Sequence, residues 1–262
     1  MGHFRLLIEY DGRDFEGWQV QPGGRRTVQG CLIDAIETIS GTTPRVTGSG
    51  RTDSGVHAEG QVVSALVDTR LSPGELLRAL NGNLPRDMVI LDVERAAPEF
   101  DARRDPVSKL YRYAIWNSPL RSPLRVGRFA HIPLALDLGA MIQAAEELVG
   151  THDFRCFQAA GSGVEETVRS IYGLDVIGLS GYEIAIEVRG SGFLRHMVRN
   201  IAGTLIEVGR GRRSPESMRE LIESRNRDLA GPTAPAEGLT LISVEYPGPR
   251  PQGADSVGKS AS

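Results

Sequence analysis

Residues 44–67 read PRVTGSGRTDSGVHAEGQVVSALV. The two ends of this stretch, 44–48 and 60–67, are rich in β-branched and other apolar residues, as strands are. Glycine and serine fill the middle together with a charged pair, Arg51 and Asp53, which predicts a loop over 48–59. We therefore interpret the stretch as two neighbouring strands joined by an unusually long connection.

The segments on either side complete a unit of six elements. A strand is predicted over 3–10 and an amphipathic helix over 27–40. After the loop, the sequence SPGE at 72–75 is a capping box with proline at the first helical position, so a helix is predicted from there to about Asn81. A last strand follows over 87–96. The order β-α-β-β-α-β is that of the split βαβ, or ferredoxin-like, unit.

The second part of the chain repeats this order. Its predicted elements are a strand over 109–117, a helix over 136–150 closed by glycine, strands over 167–179 and 182–190, a helix over 193–209, a further helix opening at Ser214-Pro215 and a strand over 239–246. We therefore expect an α+β fold with two ferredoxin-like halves, over 1–104 and 105–247. The small, polar tail at 248–262 is expected to be disordered.

The two halves differ in their central connection. In the second half, Ser180-Gly181 is predicted to form a tight hairpin turn, whereas the first half has the whole glycine-rich loop. Ordered loops on a rigid sheet often carry functional residues. An isolated Asp53 would most often be a turn former, but here it has a counter-charge in Arg51 and glycines that permit close approach of a ligand. Asp53 is accordingly a candidate nucleophile.

The distribution of charge points to an anionic partner. The formal net charge is −3, yet residues 103–128 hold seven basic groups and residues 189–213 hold six, with one acid in each segment. Only Lys109 and Lys259 are lysines, and the planar fork of arginine suits phosphates and base edges. A coding bias toward arginine explains the shortage of lysine equally well, but it does not explain the clustering by sign.

Several classes of protein are disfavoured. No run of eighteen apolar residues is present and the N-terminus lacks an apolar signal segment, so a cytoplasmic protein without membrane spans is expected. Cys31 and Cys156 have no zinc or disulfide spacing, and His57 and His152 add no recognisable metal set. No phosphate-binding glycine motif opens a helix. Neither a metal nor a cofactor is predicted.

Aromatic and basic residues in the second half are further candidates. Tyr111 and Tyr113 share one face of their strand, where they either pack in the core or form an aromatic surface on which an extruded base stacks. Arg103, Arg104 and Arg112 are expected to flank these aromatic rings and bind phosphates.

On the predicted helix 193–209, Arg195 and Arg199 share a face. They are either solvated or directed at a carboxylate between the halves.

Five segments in this order resemble the TruA family of tRNA pseudouridine synthases, over roughly 3–246. They are LLIEYDGRDFEGWQVQP, GRTDSGVHAEGQV, FDARRDPVSKLYRYAIWN, GSGFLRHMVRNIAGTLIEVG and PTAPAEGLTL. The resemblance implies the pseudouridine synthase fold, in which two ferredoxin-like halves form one sheet with a central RNA-binding cleft. It also implies an isomerase, acting as a homodimer without a cofactor, that converts uridine to pseudouridine at positions 38, 39 and 40 of the tRNA anticodon stem and loop.

The resemblance also implies roles for residues. Asp53 is the expected nucleophile on a flipped-out uridine, Tyr111 packs against the uracil, and Arg51 and Arg199 face the carboxylate. Arg103, Arg104, Arg112 and His57 are expected to contact RNA.

Two other functions fit parts of the sequence. A non-catalytic RNA-binding module of the RRM type shares the ferredoxin-like sheet, but its aromatic RNP1 signature is missing. A glycosidase needs a second carboxylate near Asp53, and the loop offers only Glu59. Pairing of Asp53 with arginine, and not with another acid, would separate these readings.

Overall fold

The computed structural model describes residues 1–248, so the tail predicted to be disordered lies, except for Gly248, outside the described residues. The strands are β1 Gly2–Tyr10, β2 Arg45–Gly48, β3 His57–Val67, β4 Met88–Arg95, β5 Ser108–Trp116, β6 Ala130–His131, β7 Gly150–Asp153, β8 Val168–Gly178, β9 Glu183–Gly190 and β10 Leu239–Glu245. The helices are α1 Val28–Ser40, α2 Pro73–Asn83, α3 Leu138–Glu146, α4 Met197–Gly209 and α5 Ser217–Ser224. Across residues 1–248, none of these helices has the length and apolarity required to cross a bilayer.

All ten strands of the described residues belong to one sheet. Its order is β4-β1-β3-β10-β5-β9-β8-β7, with β2 paired to β3 and β6 paired to β5. The first half thus has the order β4-β1-β3-β2 and the second β10-β5-β9-β8, which is the ferredoxin-like order twice. The predicted α+β fold with two such halves in one sheet is confirmed.

The halves are joined where β10 meets β3. Thr240 and Leu241 of β10 pair in parallel with His57 and Ala58 of β3. The long loop, which spans 49–56 between β2 and β3, ends directly before this pairing. The fold therefore places the end of the loop at the junction of the two halves.

Local sequence explains the ends of the first two helices. The Thr27 side chain accepts a hydrogen bond from the N–H of Gly30 and caps α1. The predicted capping box of α2 is present, with Ser72 and Glu75 each accepting a bond from the other's backbone. Each helix buries an apolar stripe against the sheet, represented by Leu32 and Leu76.

The predicted helix over 136–150 is too long at both ends. Asp137 caps the helix by accepting from the N–H of Ala140, so α3 begins at Leu138. It ends at Glu146, and Gly150, with φ of 120°, begins β7 instead of closing the helix. The sequence prediction missed β7.

The connection between β8 and β9 is longer than predicted. The strands pair as expected, but the last paired residues are Gly178 and Ile184. Since β8 ends at Gly178 and β9 begins at Glu183, four residues, 179–182, make the turn, in which Gly181 has a φ of 69°.

The helix predicted over 193–209 begins only at Met197. His196 has left-handed backbone angles (φ 62°, ψ 0°), and the N–H of Ala159 donates to the carbonyl of Arg195 at 2.9 Å. Arg195 consequently precedes the helix, and the prediction that it shares a helical face with Arg199 is wrong. Arg195 is exposed, whereas Arg199 in the first turn of α4 is largely buried.

Candidate active site at the junction of the two halves

The loop 49–56 is fastened to the first strand and to the segment that follows it. The N–H of Trp18 donates to the carbonyl of Thr52 at 3.0 Å, and the Thr52 hydroxyl shares a 2.8 Å hydrogen bond with the buried Tyr10 hydroxyl. Within the loop, the N–H of Val56 donates to the carbonyl of Asp53 at 3.2 Å. Thr52 thus points inward and fixes the backbone on which Asp53 stands.

Two glycines allow this close support. Gly17 has a φ of 88°, and a Cβ placed on it would lie 2.9 Å from the carbonyl oxygen of Thr52. A Cβ on Gly48 would lie 2.5 Å from the indole of Trp18. The supporting role of the segment around Gly17 was missed by the sequence reasoning, although that segment belongs to the first family-like motif.

The other end of the loop is held by buried polar groups. Gln61 donates to the carbonyl of Gly50 at 3.0 Å and accepts from the Ser49 hydroxyl. The Lys109 ammonium donates to the carbonyl of Ser49 at 2.6 Å. Burial, and to a smaller extent the charge of Arg103, lowers the pKa of Lys109 to about 8. Lys109 and Gln61 were not singled out by the sequence as positioning residues.

Asp53 meets α4 across the junction. Its Oδ2 lies 3.0 Å from Nη1 of Arg199 and 3.5 Å from Nε2 of His196. The side chains of Asp53 and Arg199 are 25% and 15% exposed, so the pair is shielded from bulk water yet open to a ligand. The guanidinium is itself oriented, because its Nε donates to the carbonyl of Ala234 at 2.9 Å.

His196 is a functional candidate that the sequence prediction did not select. Burial lowers the pKa of His196, the charge of Asp53 opposes that shift, and Arg199 and Arg195 reinforce it. The imidazole is therefore neutral at pH 7 and can place an N–H toward the carboxylate.

Arg51 occupies a different place from the one expected. Its side chain is exposed, and within residues 1–248 it makes no ion pair with Asp53 or any other carboxylate. The reason is that Thr52, the next residue, is anchored inward and turns Arg51 toward solvent. The family resemblance implies that both Arg51 and Arg199 face the Asp53 carboxylate. In the structure, Arg199 makes this contact and Arg51 does not.

Tyr111 lies beside the loop. It is 8% exposed, and its hydroxyl would lie 3.8 Å from a Cβ placed on Gly50. Phe193 packs edge-on against its ring, with the centroids 5.3 Å apart. Burial, with smaller contributions from Tyr10 and Asp53, raises the pKa of Tyr111 well above its usual range. The ring therefore offers a neutral aromatic wall near Asp53.

Tyr113, on the same face of β5, belongs to the core. It is fully buried and donates its hydroxyl proton to the carbonyl of Pro235 at 3.0 Å. Of the two tyrosines, only Tyr111 is placed to meet a ligand. Phe193 was missed by the sequence reasoning, although it lies in the fourth of the five family-like segments.

The four residues predicted to contact RNA are placed very differently. Arg103 and Arg104 are exposed, and the Arg104 side chain is 86% accessible. Arg112 lies on the opposite face of β5 from Tyr111 and pairs with Glu187 of β9 at 2.7 Å, so it does not flank Tyr111 as predicted.

The predicted RNA contact of His57 is contradicted by its burial. The side chain is 3% exposed, and its Nδ1 accepts a hydrogen bond from the N–H of Gly12 at 3.1 Å. Burial also lowers the pKa of His57. His57 is therefore a structural residue at the start of β3.

Asp53 has one cationic partner, Arg199, and within residues 1–248 its side-chain hydrogen bonds and ion pairs involve only Arg199 and His196, with no second carboxylate. This favours covalent or electrostatic chemistry by a single acid over the two-carboxylate geometry of glycosidases. Within residues 1–248, no three His, Cys, Asp or Glu side chains converge as a metal site would require.

Comparisons with known proteins bear on the family of this chain. The family model for tRNA pseudouridine synthases matches residues 6–103 and 144–247. A protein of Brevibacillus brevis named tRNA pseudouridine synthase A is 45% identical over 246 residues, which is 94% of this chain and the full length of that protein. A protein of the same name from Myxococcus xanthus is 44% identical over 94% of this chain and 92% of its own length.

Solved structures add little to this assignment. An archaeal box H/ACA sRNP Nop10–Cbf5 complex aligns over 78% of this chain and 43% of its own, with 12% identity and a TM-score of 0.36. The family model and the curated relatives are decisive. The chain belongs to the TruA family of tRNA pseudouridine synthases, isomerases that convert uridine in tRNA to pseudouridine.

Proposed function

We propose that this enzyme isomerises uridines 38, 39 and 40 of the tRNA anticodon stem and loop, with Asp53 as the nucleophile acting on a flipped-out uridine. The observation that carries this proposal is the position of the Asp53 carboxylate, 3.0 Å from Arg199 at the junction of the halves, on a loop whose Gly50 lies against the Tyr111 hydroxyl. A lone acid with a fixed cationic partner and an aromatic wall is suited to a base separated from its sugar.

The reaction balances without an added group. The bond between N1 and C1′ breaks, the uracil rotates, and a bond forms between C5 and C1′, while C5 loses a proton and N1 gains one. Asp53 can take part by attacking C1′ or by adding to the base, and both routes return the carboxylate at the end. Because no atom or electron is gained or lost overall, the chemistry requires no redox or group-carrying cofactor.

The neighbouring residues have separate tasks in this scheme. Arg199 holds the carboxylate in position, and Tyr111 stacks against or alongside the uracil. The high pKa of its hydroxyl favours a packing role over that of a base at neutral pH. Arg51, which is exposed on the loop, can enter the RNA helix where the target base has left and so offset part of the few kcal/mol that extrusion costs.

Binding of tRNA also needs contacts away from the nucleophile. The exposed Arg103 and Arg104 supply cationic groups for phosphates. By the family resemblance we further infer a homodimer, with tRNA as substrate in the cytoplasm.

The target positions are tested by mapping pseudouridine in tRNA from a strain that lacks the gene. We expect pseudouridines at 38, 39 and 40 to disappear and to return with the wild-type gene, but not with Asp53→Asn. Glu59→Gln, which removes the nearest acid in the sequence, an exposed residue near the start of β3, is the matched control and should restore them. Unchanged pseudouridine at these three positions, with loss elsewhere in tRNA, would contradict the proposed target.

A further inference from the structure

A cavity of about 520 Å³ lies beside the active site, on the far side of His196. Its walls include Arg195, His196 and Arg227 together with several small residues from two loops. Since His196 is also 3.5 Å from Asp53, one imidazole ring separates this cavity from the nucleophile.

The cavity carries two guanidiniums that lack acidic partners. Within residues 1–248, neither Arg195 nor Arg227 forms an ion pair. Arg227 instead donates to the carbonyl of Gly231 at 3.0 Å and to the amide oxygen of Asn200 at 3.1 Å. Asp228 is the one acid among the lining residues. Both arginines also contribute to the lowered pKa of His196, so their charge reaches its ring.

The walls of the cavity are preformed. The N–H of Gly231 donates to the hydroxyl of Thr204 on α4 at 2.9 Å. A Cβ on Gly231 would lie 2.7 Å from the Cα of Thr204, so this loop is in direct backbone contact with the helix. Ala159 and Ala160, which also line the cavity, have small side chains that leave space. A rigid, roomy and cationic cavity suits a phosphodiester with its ribose better than an apolar ligand.

We propose that this cavity binds a backbone phosphodiester of the tRNA next to the target uridine, with Arg195 and Arg227 facing the phosphate. The proposal rests on the function proposed for Asp53, since it places the target nucleoside there. A nucleotide held at Asp53 has its flanking phosphodiesters within reach of the cavity, because His196 both lines the cavity and lies 3.5 Å from Asp53. The expected ligand is an RNA backbone group, recognised by charge and independent of base sequence.

The first test removes one charge from the cavity. Arg195→Gln, measured in an Asp53→Asn background so that the RNA does not react, should weaken tRNA binding and reduce the slope of log K against log salt by roughly 0.7–0.9, the contribution of one phosphate contact. Arg195 is exposed, so we expect the substitution to leave the fold intact, which circular dichroism on the same preparation checks. Arg78→Gln, an exposed arginine on α2, is the matched control and should change neither quantity.

A second test locates the phosphate. Substrate tRNAs are ligated with one uncharged methylphosphonate at each linkage flanking the target uridine in turn. At one linkage, neutralisation should weaken binding to the protein with Arg195 more than binding to Arg195→Gln, in which Arg227 alone faces the phosphate. As a test of charge at another lining residue, Ala160→Glu should weaken binding, while Ala160→Gln should not.

The outcomes separate this proposal from the proposed function. An unchanged salt slope for Arg195→Gln, or additive losses at every linkage, would overturn the phosphate site even if Asp53→Asn is inactive. Conversely, if Asp53→Asn is active, the proposed function of Asp53 fails. The salt slope of Arg195→Gln is a binding measurement and still reports whether Arg195 contacts a phosphate.

Discussion

The ion pair between Arg199 and Asp53 provides a quantitative prediction. The perturbation is Arg199→Gln, which keeps much of the side-chain volume and removes the charge. At 3.0 Å and an effective dielectric constant of about 20, the gross attraction is about 5 kcal/mol, most of which is offset by desolvation. The side chains are 15% and 25% exposed, so the expected loss lies between the values for exposed and fully buried pairs, about 2 kcal/mol.

A second contact adds to this loss. The Arg199 Nε donates to the carbonyl of Ala234 at 2.9 Å, a hydrogen bond of about 1 kcal/mol. We therefore expect the free energy of unfolding to fall by about 3 kcal/mol and Tm to fall by roughly 6–12 °C. Arg219→Gln, which breaks an exposed pair with Glu147, is the matched control and should cost less than about 1 kcal/mol.

The same substitution should affect catalysis more than binding. Without the guanidinium, Asp53 is no longer held in one position, and misplacement of a reacting group by about 1 Å typically costs 10²-fold in rate. We expect kcat to fall by about that factor, with KM for tRNA changed less than threefold, and Arg199→Lys to restore part of the rate.

The assay is single-turnover release of tritium from C5-labelled uridine in tRNA, compared with equilibrium binding. A wild-type rate for Arg199→Gln, or a loss confined to KM, would refute the assignment of Arg199 as the group that holds Asp53.

Two further substitutions test the support of the loop. Gly17→Ala should slow the reaction and destabilise the protein by more than about 1 kcal/mol, because its Cβ would meet the carbonyl of Thr52 and its φ is 88°. Gly23→Ala is the control, since Gly23 has a φ of 87° but open space around its Cα. Equal losses of activity in the two variants, assayed at the same urea concentration, would contradict the argument. Lys109→Met should remove a pH dependence of the free energy of unfolding. The pKa of Lys109 is about 8 in the folded state and 10.5 in the unfolded state, so the unfolded state binds more protons between these pH values. The free energy of unfolding of the wild type should therefore rise by about 3 kcal/mol from pH 8 to 10.5, and that of the variant should not. Parallel denaturant-unfolding curves for both proteins across this pH range would count against a buried ammonium at Lys109.

The regular elements could be predicted from the sequence because their signals are local. The capping box at Ser72 and the alternation in β1 and β9 each depend on residues within one element. The β-α-β-β-α-β order, read twice, was sufficient to predict the arrangement of both halves.

The errors occurred where distant contacts determine the conformation. The start of α4 is set by the left-handed backbone of His196 and by a hydrogen bond from Ala159, and neither is visible in a helical periodicity. The burial of His57 likewise depends on the segment around Gly12, 45 residues earlier in the chain, whose N–H donates a hydrogen bond to the imidazole. A polar side chain in a motif can thus be structural, and only the folded geometry distinguishes it from a ligand-binding one.

Within the site, sequence proximity was misleading for the arginines. Arg51 is two residues from Asp53 but points to solvent, while Arg199 is 146 residues away and supplies the contact. The family resemblance identified Arg199, because a residue-by-residue match carries tertiary information that local charge patterns do not.

The central claim is that the Asp53 carboxylate is the nucleophile. Its most direct test is the tritium-release assay on Asp53→Asn with bound tRNA at saturating concentration, with circular dichroism and tRNA affinity measured on the same preparation. We predict a folded protein that binds tRNA but loses at least about 10⁴-fold in single-turnover rate. Pseudouridine formation at the wild-type rate in this variant would contradict the account.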